Sequence, residues 1–285
     1  MQKISRERSP GPTVRPAARE GRRSRSSLRS VALPTEHGGW GLTAEPVLLG
    51  LLVAPSWAGA AIGAGAVLAF LARTPTKIAL GDLRRRRVLS RTRVAGTVAV
   101  VELTLLFACA AVAINYATGP AFVPLVVVGP LLVVELVYDI RSRGRRLVPE
   151  LAGSVGIAGV AAMIVLASDV PVAVAAGLWL VLAGRATTSI PWVREQVRRL
   201  HHRGTDGRWL IVSDLAAIGC GVIAVALEPQ LIGGAAAVVL VVGAQRLNVP
   251  HPAPTAKVIG LRQTALGLLV VVATAVGIAS TGGIS

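Results

Sequence analysis

The 285-residue chain is short of charge. Only 15% of its residues are Asp, Glu, Lys or Arg, while 53% are hydrophobic and the mean hydropathy is +0.65. An average soluble domain is roughly 25% charged. The shortage excludes an ordinary soluble globular protein, and the long apolar runs left in its place read as a polytopic membrane protein. Cysteine is almost absent. Cys109 and Cys220 lie far apart, each inside an apolar run. Such residues act as small hydrophobes, so no disulfide framework and no metal centre built on Cys is expected. The four histidines, His37, His201, His202 and His251, form no H-x-x-x-H pair. Aromatics make up only 4%. The apolar runs are instead Ala, Val, Leu, Ile and Gly, and glycine lets membrane helices approach closely. Acids are scarce too: 14 against 30 basic residues, a net charge of +16. A nucleic-acid partner is not expected, because the basic residues lie between apolar runs, where they set topology.

Residues 1–33 hold nine basic residues among Ser, Pro and Gly. They show no helical or strand period and read as a disordered basic cytosolic tail drawn to anionic lipid headgroups. Residues 34–285 read as a single transmembrane helical domain. Apolar spans fall at about 39–55, 57–72, 94–114, 121–138, 151–168, 171–190, 209–227, 230–246 and 263–281. The break between the first two, at Ala54–Trp57, is required by charge: the segments on both sides of 39–72 are strongly basic, so the chain returns to the same side. All 30 basic residues sit in the tail and in 73–93, 139–150, 185–208 and 246–262. The alternate connections carry none. The positive-inside rule then puts the N-terminus in the cytosol and the C-terminus outside. The expected class is an all-α polytopic protein of about nine transmembrane helices, multi-pass in the cell membrane.

Several acids lie within or beside spans: Glu45, Glu102, Glu135, Asp139 and Asp214. Ionisable groups at membrane depth are expensive and mark polar interiors or functional sites. Glu45 is followed by Pro46, which frees a backbone carbonyl beside the acid. Glu135 and Asp139 are four residues apart and share a helix face. Two readings stay open. The acids line a chamber opening to the cytosol, or each pairs with an edge arginine and pins helices together. Arg84–Arg87 read as headgroup anchors. Arg73 and Lys77 differ: they are also four apart, and Lys77 is one of only three lysines against 27 arginines. Such a pair at a chamber mouth suits a phosphate or diphosphate. A faint repeat aligns residues 71–87 with 182–199, setting Arg73 on Arg185 and Thr76 on Thr188.

Three stretches carry a resemblance. Pro34, Glu36, His37, Gly38, Trp40 and Glu45, then Arg73, Pro75, Lys77 and Asp82, then Tyr138, Asp139, Arg141, Pro149, Glu150 and Gly153 resemble the YwiC-like family of bacterial integral membrane proteins, over roughly residues 31–205. That family has no established activity. A more distant similarity is to the UbiA superfamily of prenyltransferases, on the Tyr138, Arg141, Pro149–Glu150 and Gly153 pattern and the cytosolic loops between helices 2 and 3 and helices 6 and 7. It implies a nine-helix bundle around a cavity open to the cytosol. It also implies two aspartate-rich motifs that hold Mg²⁺ on a prenyl diphosphate, with basic residues on the phosphates. Here the first of those loops offers one acid, Asp82, and the second offers Glu195 and Asp206, so Mg²⁺ dependence is an open expectation. The candidates for catalysis are Glu45, Asp82 and Asp139. The candidates for substrate binding are Glu36, His37, Arg73, Lys77, Tyr138, Arg141, Glu150, Arg185 and Asp214. The expected function is an enzyme or binding protein for an isoprenoid or phosphorylated lipid at the cytosolic face, with membrane lipids as partners. The alternatives are a proton-coupled transporter and a non-catalytic subunit of a membrane complex.

Overall fold

Apolar runs in a bilayer must satisfy every backbone N–H and C=O internally, and helices do so. In the computed structural model, which describes residues 37–86, 88–141, 146–201, 207–247 and 254–282, nine α-helices and no strand are seen among the described residues. They are α1 (His37–Val53), α2 (Trp57–Arg84), α3 (Ser90–Tyr116), α4 (Leu125–Ile140), α5 (Leu147–Leu166), α6 (Val172–Leu200), α7 (Gly207–Leu227), α8 (Ile232–Leu247) and α9 (Ala256–Ser280). A 3₁₀ turn, Pro229–Leu231, leads into α8. Seven of the nine are long and apolar enough to cross a membrane. The chain is a multi-pass membrane protein. The basic tail, residues 1–33, lies outside the described residues, as do Glu36 and Asp206.

The break between the first two spans is a turn at residues 54–56. Ser56 caps α2, its Oγ accepting the Gly59 N–H at 3.0 Å. The ends of several helices differ from those expected. α2 does not stop near residue 72 but continues through Pro75 to Arg84. A proline inside a helix removes one backbone bond, and packed membrane bundles tolerate the loss. α6 likewise runs through Pro191 to Leu200. Most of the two "loops" aligned by the repeat is therefore helix. The correspondence extends to packing: α2 packs against α3, α4 and α5, and α6 packs against α7, α8 and α9.

α5 and α6 are the most enclosed helices. Their small and branched residues, among them Ala161, Val165, Leu178 and Val181, form one core with Leu49 of α1, Ala217 and Ala224 of α7, Val238 and Val241 of α8 and Val270 of α9. α4 lies close along α5 because Gly153, Gly156 and Gly159 face it. A Cβ at Gly156 would come within 3.2 Å of Leu132, one at Gly159 would overlap Val128, and one at Gly153 would overlap the Glu135 carboxylate. Among the described residues, α3 has a single helical neighbour, α2.

Candidate functional site

Helices that alternate in direction bring N-termini and C-termini to the same end of a bundle. Here the first halves of α1, α5 and α9 meet the last halves of α2, α4 and α6 around a cavity of about 850 Å³. This is the end that carries the basic residues. Six of the sequence candidates line the cavity together: Glu45, Arg73, Lys77, Asp139, Glu150 and Arg185. Glu135, Arg146, Ser154, Ser189, Arg194, Gln263 and Thr264 complete its polar wall.

One part of the wall is a network between α2 and α4. Continuation of α2 past Pro75 puts Arg73 and Lys77 on one face, and both reach α4. Arg73 Nε donates to Asp139 Oδ2 at 2.6 Å, and Arg73 Nη2 lies 3.0 Å from Glu135 Oε1. Lys77 Nζ reaches Asp139 Oδ1 at 3.4 Å, while its side chain stays 45% exposed. A second pair, Arg194 Nη1 to Glu150 Oε2 at 2.7 Å, joins α6 to α5. Arg146, exposed at the N-cap of α5, stands beside it on the cavity wall.

The inner part is almost dry. Glu45 lies eight residues past the start of α1, roughly 12 Å along the helix. Its Oε1 accepts from Arg185 Nη2 at 3.1 Å. The same nitrogen donates to the Gln263 backbone oxygen at 2.6 Å, and Arg185 Nη1 donates to Ser189 Oγ. The Glu45 and Arg185 side chains are only 5% and 3% exposed. Gly267 of α9 leaves room for the pair, because a Cβ there would overlap the Glu45 carboxylate. Charges taken this far from water need a partner, and each has the other; Arg185 adds hydrogen bonds to Ser189 and to the Gln263 carbonyl.

Four sequence candidates are placed elsewhere. Asp82 is buried at the corner between α2 and α3. It accepts Arg91 Nε and Nη2 at 3.1 and 3.0 Å and Thr92 Oγ1 at 2.8 Å. It closes a turn and does not line the cavity. Asp214 sits on the far side of α6, where it accepts Thr188 Oγ1 and Arg246 Nε, each at 2.6 Å. Tyr138, half-buried on α4, and Arg141, exposed just past the end of α4, are not in the cavity wall. Glu36 lies outside the described residues. His37 begins α1, and its side chain is not described. Glu102, in the middle of α3, does not line the cavity, and among the described residues its buried Oε2 has no hydrogen-bond partner. Asp82→Asn is expected to speed trypsin cleavage after Arg85 or Arg86 while leaving the cavity network in place. Limited proteolysis checks this, and an unchanged cleavage rate would remove the corner-closing role.

The two readings of the acids meet in one arrangement. The acids that line the cavity also pair across helices, while Asp82 and Asp214 pair without lining it. Sequence reasoning passed over the uncharged wall residues Ser189 and Gln263, although a glutamine seven residues into an apolar helix is itself a polar signal at membrane depth.

The magnesium expected from the UbiA resemblance can be tested against these residues. Mg²⁺ on a diphosphate requires several free oxygen ligands. Glu45, Asp139 and Glu150 each accept from a basic side chain, Glu135 lies against Arg73, and Asp82 lies outside the wall. Among the described residues, no three His, Cys, Asp or Glu side chains gather to hold a metal ion. The residues present do not fit that group.

Residues 33–165 match the family model described as YwiC-like protein. The match spans α1 to nearly the end of α5; it bears out the family read from the sequence but ends at residue 165, short of the expected 205. No curated protein and no solved structure matches the chain.

Proposed function

We propose, with residues 33–165 taken as a YwiC-like segment of a multi-pass membrane protein, that the cavity binds the phosphate-bearing headgroup of a lipid, such as an isoprenoid phosphate, without magnesium. The observation that carries this reading is the grouping of Arg73, Lys77, Arg146, Arg185 and Arg194 in one cavity wall at the basic end of the bundle. Lys77 is the natural first contact. An ammonium has three donors, Lys77 spends one on a long 3.4 Å contact, and its side chain is half in the open. Arg146, at the first turn of α5, adds a guanidinium beside backbone N–H groups that no side chain caps. The four cavity carboxylates hold the cations in position and keep the empty cavity from being strongly charged.

The UbiA-like bundle, the cytosolic N-terminus and the placement of the cavity on the cytosolic side of the cell membrane belong to the same proposal. They are supported by the one-sided distribution of basic residues. Prenyl transfer is not part of it, because the carboxylates that would hold a metal are engaged by arginine and lysine. The test is binding of farnesyl diphosphate and of phosphatidic acid to the purified protein, with EDTA and with Mg²⁺. Binding is expected in both conditions, and Lys77→Gln is expected to weaken it about tenfold. Absence of binding under both conditions refutes the proposal.

The buried Glu45–Arg185 pair favours a second reading, proton-coupled transport through the cavity. Proteoliposome uptake that depends on pH and vanishes in Glu45→Gln would support it. Uptake that keeps its pH dependence in that variant excludes Glu45 as the coupling group.

A further inference from the structure

The inner end of the cavity holds polar groups that the phosphate reading does not use. Gln263 lines it and is only 8% exposed, yet among the described residues neither its Nε2 nor its Oε1 has a hydrogen-bond partner. Arg185, whose Nη2 donates to the Gln263 backbone, has its Nε buried without one as well. An amide in water makes several hydrogen bonds. Leaving both of its polar atoms bare in a dry site costs more than most contacts return. Both N–H groups of Arg185 Nη2 are committed, to Glu45 and the Gln263 backbone, and Nη1 donates to Ser189. What remains at this end is an acceptor, Gln263 Oε1, and donors on Gln263 Nε2 and Arg185 Nε.

We propose that Gln263 and Arg185 form an inner subsite for a neutral hydroxyl-bearing part of the ligand, so that the headgroup is a polyol phosphate, not a bare phosphate. The inference rests on the phosphate reading above and adds the chemistry of the ligand's other end. A hydroxyl both donates and accepts, which matches the amide's two bare atoms. A second anionic group does not suit this end, because it would lie beside the Glu45 carboxylate, whose charge Arg185 already balances. The two parts of the cavity thus differ in kind. Exposed Lys77 and Arg146 take the charge, and the buried amide reads what is attached to it.

The test compares phosphatidylglycerol with phosphatidic acid of the same acyl chains, each titrated into the full-length protein in detergent, with glycerol phosphate as a soluble competitor. Wild type is expected to prefer phosphatidylglycerol by about tenfold, the effect of pairing buried polar groups that otherwise stay bare. Gln263→Met, close in shape and without the amide, is expected to bring the two lipids within twofold of each other. Retained binding of phosphatidic acid shows that the variant is folded. Gln263→Asn, which keeps the amide but shortens it, serves if the methionine variant does not fold, and it too should lose the preference. Equal binding of both lipids by wild type, or a preference unchanged in the variants, overturns the subsite and leaves the phosphate reading standing. Binding of neither lipid overturns both. Competition by glycerol phosphate at matching concentrations supports the subsite and assigns recognition to the headgroup alone. No competition supports a headgroup held together with its lipid.

Discussion

Glu45→Leu is expected to destabilise the folded protein by about 3–5 kcal/mol, the largest loss from any single cavity substitution. The reason lies in what remains. Arg185 is 3% exposed at its side chain, and without Glu45 its charge keeps only a hydroxyl and one carbonyl as acceptors. Arg185→Met should cost a similar amount, because it strands Glu45 in the same way. The double variant, Glu45→Leu with Arg185→Met, is expected to recover more than half of either loss, since no charge is then left buried. Unfolding in mixed detergent, followed by tryptophan fluorescence, gives all three values. A loss below about 1 kcal/mol for Glu45→Leu would mean that the pair is solvated and not sealed between helices.

Gly267→Ala is the second large effect, and its size depends on Glu45. A Cβ at this position overlaps the Glu45 carboxylate, so α9 must move or the acid must leave its place against Arg185. Overfilling of this kind costs about 1–3 kcal/mol in packed interiors. In a Glu45→Ala background the overlap with the carboxylate is gone and only Arg185 Nη2 stays close, 3.0 Å from such a Cβ, so the same substitution should cost less, offset in part by helix propensity. The comparison of Gly267→Ala in the two backgrounds, by the same unfolding measurement, isolates the coupling. Equal costs in both would show that α9 and α1 are not in contact at this height.

The helices were legible because their signals are physical and long-ranged. Nine apolar runs and one-sided arginines follow from the cost of moving charge across a bilayer. The ends were less legible. Arg73, Thr74, Pro75 and Lys77 read as a polar loop, while the structure keeps them helical, because neighbouring helices offer partners for polar side chains that a bilayer alone does not. Half of the candidate site was visible as charge at membrane depth: Glu45, Arg73, Lys77, Asp139, Glu150 and Arg185. Asp82 was misplaced because its nearest cation, Arg91, is close in sequence and claims it locally. Asp214 was misplaced for a different reason. It stands at the right depth but on the wrong side of α6, and rotation about a helix axis is set by packing, which hydropathy does not report. Gln263 was missed because attention to charge passes over an amide.

The glycines along α5 do more than bring α4 close. They are notches that receive α4 in the observed register: Glu135 at Gly153, Leu132 at Gly156 and Val128 at Gly159. The position of Glu135 and Asp139 along α5, and with it the level at which Arg73 and Lys77 are held, is therefore gauged by three missing methyl groups on the helix next door.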